Sequence, residues 1–194
     1  MNIQSSSKFQ IQLSTRGIQK VGFIVGMILL QFFLAKSFGI ILVIDLTLIL
    51  LLAASVWTDI LYGVIPNFII GCGLVSAGVF LILGELKLTK TLIAAASILV
   101  LLLLICWLSE KFFGQPGLGM GDLKLFFVLG LYLGWEIFWV LYIAVMVGGL
   151  FAICGIIVKY LSRKSRLPFA PFIAIAFLVT HYFLPLSLVM GYLR

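Results

Sequence analysis

Apolar runs of nearly 20 residues recur along almost the whole chain, and all but one are close to the length that spans a bilayer as a helix. We place them at roughly 18–35, 40–57, 65–84, 91–108, 122–134, 137–158 and 169–190. Of 194 residues, 64% are hydrophobic and 10% are charged, too few polar side chains to clothe a soluble domain of this size. The expected fold is all-α, a polytopic transmembrane helix bundle of six to seven spans. One span is short: 122–134 would rise only about 20 Å, less than a full hydrocarbon core. The expected organisation is a cytoplasmic N-terminal segment, 1–17, followed by one membrane-embedded domain, 18–194, with its informative core at 40–190. Val21 to Leu34 followed by Ala35-Lys36-Ser37 has the outline of a secretory signal. The spans that follow favour an uncleaved first helix.

Lys plus Arg number 13 and Asp plus Glu number 6, for a net charge of +7. The bases sit between apolar runs, so they speak to membrane topology and not to nucleic acid. With the N-terminus in the cytoplasm, Lys8, Arg16, Lys20, Lys111, Lys124, Lys159, Arg163, Lys164 and Arg166 fall inside. Lys36, Lys87, Lys90 and Arg194 fall outside. Nine against four selects this orientation, in a cell inner (cytoplasmic) membrane. Cys72, Cys106 and Cys154 all lie within apolar runs and form no CxxC pair. They read as small packing residues, with no metal site and no cofactor expected.

An acid in a membrane helix is costly and therefore a functional candidate. Asp59 ends the second run, and Asp122 opens the fifth after the loop Ser109 to Gly121. The topology brings both to the same cytoplasmic depth. Two neighbouring carboxylates can share one proton, leaving one as base toward water and the other as acid toward a carbonyl. Simpler roles stand beside this one. Asp122 could be a helix N-cap, and Asp59 could be a loop acid. Gly119 and Gly121 supply backbone free of side chains on which a substrate strand could lie. Asp45, 14 residues before Asp59, is about 21 Å away along a helix and near the outer leaflet. Glu85 and Glu136 also map outside, and Glu110 inside. Asp45 and His181 keep open a non-enzymatic alternative, a small transporter or assembly factor with a proton relay.

Three motifs then occur in order. They are Asp59 with Ile65-Pro66-Asn67, Gly119-Met120-Gly121-Asp122-Leu123-Lys124-Leu125, and Pro168-Phe169-Ala170-Pro171-Phe172. Together they resemble the prepilin peptidases, a family of GxGD-type intramembrane aspartyl proteases, which usually have glycine where this chain has Ala170. The resemblance implies an aspartic endopeptidase that cuts the basic leader from type IV prepilins, pseudopilins or related proteins at the cytoplasmic face. It implies Asp59 and Asp122 as the catalytic pair and Gly119 and Gly121 as active-site loop, with Lys124 a further loop residue. Larger members carry a cytoplasmic insert with paired CxxC motifs and also N-methylate the new terminus. This sequence shows no such insert, so a peptidase-only form is expected.

Overall fold

The computed structural model describes Gly26 and residues 39–84, 86–114, 117–159 and 167–183. Among these residues all regular structure is helical. Helix α1 is Ile40–Tyr62, α2 Asn67–Ile82, α3 Leu88–Phe113, α4 Met120–Leu133, α5 Ile137–Ile157 and α6 Ala170–Leu178. A 3₁₀ turn, Gly134–Glu136, joins α4 to α5, and a π turn, Val179–Phe183, continues α6. The expected first span apart from Gly26, the end of the seventh and the loop residues 160–166 lie outside the described residues. The chain divides into two compact units, Met1–Thr47 and Leu48–Arg194. In the first unit the described part of α1 carries Thr47, whose hydroxyl donates to the Val43 carbonyl at 2.7 Å. The packing and the site described below belong to the second unit.

Among the described residues three stretches are long and apolar enough to cross a membrane: Leu42–Tyr62, Leu88–Phe112 and Met120–Ile157. The last is two helices, because Gly134 turns the backbone with φ 56° and ψ −131°. Asn67–Ile82 and Ala170–Tyr182 are apolar but shorter. Large apolar side chains stand exposed along the outside, among them Leu50, Val100, Leu150 and Ile157. Such a surface suits lipid and not water.

Helix ends differ from expectation for a local reason. The second run was expected to stop near residue 57, yet α1 continues to Tyr62 and carries Asp59 in its last turn. Gly63 ends it, with φ 63° and its N–H donating to the Asp59 carbonyl at 2.8 Å. Glycine reaches this left-handed conformation without a Cβ penalty. In the same way α3 continues to Phe113 and stops at Gly114, φ 69°. The loop expected from Ser109 to Gly121 is therefore confined to 114–119. Pro66 is the N-cap residue of α2, φ −62° and ψ 137°.

Helix α4 forms the core. Leu125, Phe126, Val128 and Leu129 are fully buried, while its neighbours keep one face outward. Helices in lipid gain little from hiding apolar surface and associate through close packing of small residues. A Cβ on Gly130 of α4 would meet the Ala95 Cα of α3 at 2.9 Å, and one on Gly73 of α2 would meet Val128 at 2.7 Å and Leu51. Tyr132 adds a hydrogen bond from its hydroxyl to the Gly73 carbonyl at 3.0 Å. Its ring packs edge-on against Phe80 at 6.1 Å.

Candidate active site

The end of α1 and the start of α6 meet at Asp59. The carboxylate is buried, 7% exposed, and its Oδ2 accepts the Ala170 backbone N–H at 2.9 Å. That N–H belongs to the first turn of α6, where amides lack partners within the helix and attract negative charge. The donor is backbone, so alanine in place of glycine keeps it. Phe169 anchors this helix start. It packs on Phe126 of α4 at 6.4 Å and on Phe172 at 6.2 Å, and Gly148 of α5 leaves room for both Phe169 and Phe172.

Asp122 sits in the first turn of α4. Gly119, extended at φ −72° and ψ 146°, is the N-cap residue, so the simple N-cap reading of Asp122 fails by three positions. A related role remains: the Asp122 carboxylate accepts a backbone hydrogen bond from Gly119, while the Asp122 N–H donates to the Gly119 carbonyl at 3.1 Å. This reciprocal pairing resembles a capping box. Each glycine of the motif has a separate steric reason. A Cβ on Gly119 would lie 3.2 Å from Asp122 Oδ2, and one on Gly121 would lie 3.1 Å from the Ile65 Cβ. Gly121 is thus pressed against the turn that follows Asp59, and the open platform imagined for it is occupied by Ile65. The two carboxylates stand near enough for their charges to interact.

Lys124, two residues further, donates from Nζ to Asn67 Oδ1 at 2.8 Å. The α3–α4 loop folds back on α3: Cys106 Sγ lies 4.0 Å from the Leu118 carbonyl, and a Cβ on Gly117 would touch Ser109. Asp59, Asp122, Gly119, Gly121 and Lys124 are therefore all brought to one end of the bundle. Sequence reasoning missed the Ala170 amide, Phe169 and the role of Asn67. The motif residues 65–67 and 168–172 were the available signals.

The other acids stand apart. Asp45 is half-buried on α1, Glu110 is exposed on the last turns of α3, and Glu85 lies outside the described residues. Glu136 lies past the far end of α4, where its charge interacts with that of His181, whose ring stacks on Phe177 at 5.2 Å. Among the described residues no three His, Cys, Asp or Glu side chains cluster as metal ligands.

Comparison with known proteins gives a consistent neighbourhood. Residues 46–156 match the model of the type IV leader peptidase family, a stretch that contains both aspartates and stops before Pro168. The chain is 33% identical over 94 residues to a prepilin leader peptidase/N-methyltransferase of Aeromonas salmonicida (strain A449), covering 48% of this chain and 32% of that protein. It is 36% identical over 104 residues to one of Xanthomonas campestris pv. campestris, covering 53% and 36%. With one of Burkholderia pseudomallei (strain K96243) it shares 36% identity over 91 residues, covering 45% and 29%. The chain spans about a third of the length of these curated relatives. No solved structure matches.

Proposed function

Since the chain belongs to the type IV leader peptidase family, we propose that it is an aspartic endopeptidase that removes the leader of type IV prepilins, pseudopilins or prepilin-like proteins, with Asp59 and Asp122 as its dyad. The observation that carries this reading is that α1 and α4 bring two carboxylates to one end of an apolar bundle, near enough for their charges to interact. One of the pair, ionised, takes a proton from water as the water oxygen bonds to the scissile carbonyl carbon. The other, protonated, gives its proton to the carbonyl oxygen. The tetrahedral adduct then loses the amine, which leaves with the proton first taken from water. No metal and no covalent acyl-enzyme enter the cycle. Gly119 leaves room for the Asp122 carboxylate, and Gly121 lets α4 approach the Asp59 turn.

The site is assigned to the cytoplasmic membrane edge by the nine-to-four distribution of bases. Substrate helices would dock laterally in the bilayer, with the scissile bond at that edge. The proposal covers peptidase activity alone, since Cys72, Cys106 and Cys154 form no CxxC pair of the kind expected of methylating members.

The test is reconstitution of the purified protein in liposomes with a candidate prepilin, reading leader removal by gel shift and product mass. Leader removal that survives chelation and is lost in Asp59→Asn and in Asp122→Asn supports the proposal. Wild-type cleavage by a well-inserted Asp59→Asn protein overturns it. A product one methyl group heavier, with a methyl donor and no second enzyme present, overturns the peptidase-only assignment.

A further inference from the structure

We propose that Lys124 and Asn67 are positioning residues that set the separation of the two aspartates; the inference rests on the proteolytic reading above. Asp59 leads through Gly63 and the non-helical residues Val64 to Pro66 into Asn67, the first residue of α2. Asp122 and Lys124 share the first turn and a half of α4. These two segments, 57 positions apart at Lys124 and Asn67, touch twice. Gly121 backs onto Ile65, which is 5% exposed, and Lys124 Nζ donates to Asn67 Oδ1 at 2.8 Å. The first contact sets how close the segments come. The second, a directional bond to a charged donor, stops them sliding past one another. Sliding is the motion that would separate the carboxylates, since each aspartate lies within eight residues of one of these contacts on its own segment.

Both Lys124 and Asn67 are exposed at the rim, so neither is needed to fill the core. A lysine two residues after Asp122 would ordinarily be read as binding substrate. Here its ammonium is engaged by Asn67, a residue of the other aspartate-bearing segment. Misplacement of reacting groups by about 1 Å costs on the order of a hundredfold in rate. A lost pin should therefore appear in turnover and leave substrate affinity alone.

The test is a double-mutant cycle in liposomes with Lys124→Met, Asn67→Ala and both, measuring kcat and KM for leader removal and the unfolding midpoint of each protein in detergent. We expect kcat to fall about ten- to a hundredfold in either single variant, with KM unchanged and the double variant no worse than the worse single. Lys124→Arg and Asn67→Asp keep donor and acceptor and should restore turnover. A raised KM with unchanged kcat for Lys124→Met would make the lysine a substrate contact and overturn the proposal. Additive effects on both kcat and midpoint would overturn it too. Failure of the parent protein to cut any prepilin would instead refute the proteolytic reading. The pin would then be judged by whether Lys124→Met and Asn67→Ala are non-additive in unfolding.

Discussion

A buried carboxylate needs compensation, and at Asp59 one comes from the Ala170 amide at 2.9 Å. Ala170→Gly keeps this donor and should leave leader removal intact, whereas Ala170→Leu forces a large side chain into a fully buried position. The latter should lose about 1–3 kcal/mol of stability, read as a lower unfolding midpoint in detergent. Asp59→Asn and Asp122→Asn should each reduce cleavage by at least ~10²-fold. Their combination should cost little more, because two groups that share one proton act as a unit. Asp45→Asn should keep substantial activity, since Asp45 lies 14 residues before Asp59 on α1; single-turnover assays rank the three variants. At this scale the sequence was informative about the candidate acids and silent about what holds them. Asp59 and Asp122 announce themselves as acids in apolar surroundings. The Ala170 amide has no signature, because every residue but proline carries one. Lys124 and Asn67 are 57 positions apart, and nothing in either local motif names the other.

Among elements, α4 is the one on which the others close. Its Gly130 backbone lies against Ala95 of α3 so tightly that an added Cβ would meet Cα at 2.9 Å. Neither backbone can step aside cheaply. Gly130→Val should therefore weaken the α3–α4 seam by about 1–3 kcal/mol or more, visible as a lowered midpoint in a detergent unfolding titration. Cleavage should fall only as far as the folded fraction does. The short helix α4 was legible beforehand as the fifth apolar run, bracketed by glycines at 121 and 134. Helix ends were less legible. Composition suggested that α1 stops near residue 57 and α3 near 108, but both continue until a glycine takes a left-handed conformation, at Gly63 and Gly114. Reading those glycines as stop signals would have put Asp59 inside its helix from the start. The π turn after α6 was not legible, because no residue pattern in Val179–Phe183 marks it.

For the whole molecule, exposed aromatic side chains mark two levels. Trp57, Tyr62 and Trp107 stand near the dyad end, while Trp135 and Trp139 stand at the α4–α5 corner. Tryptophan and tyrosine collect at the two membrane–water interfaces, so this pattern fits a dyad at one membrane edge. Cysteines introduced at Leu61 and Gly117, both exposed, should react with a membrane-impermeant thiol reagent from the cytoplasmic side only, in a background lacking the native cysteines. Labelling from outside intact cells would reverse the topology. The most buried helix is also a short one, with 14 residues that include Asp122 and Lys124. It rises about 21 Å where a bilayer core needs ~30 Å. Such a helix is a poor customer for the insertion machinery when it emerges alone from the ribosome. It should enter the membrane only once α5 has been synthesised behind it, as a hairpin hinged at Gly134. Chains released after Leu133 should then leave α4 extractable by alkali, and chains released after Ile157 should retain it. Of the two proposed catalytic aspartates, Asp122 would then be the later to reach its place during biosynthesis, and the proposed activity would stay silent until α5 has been made.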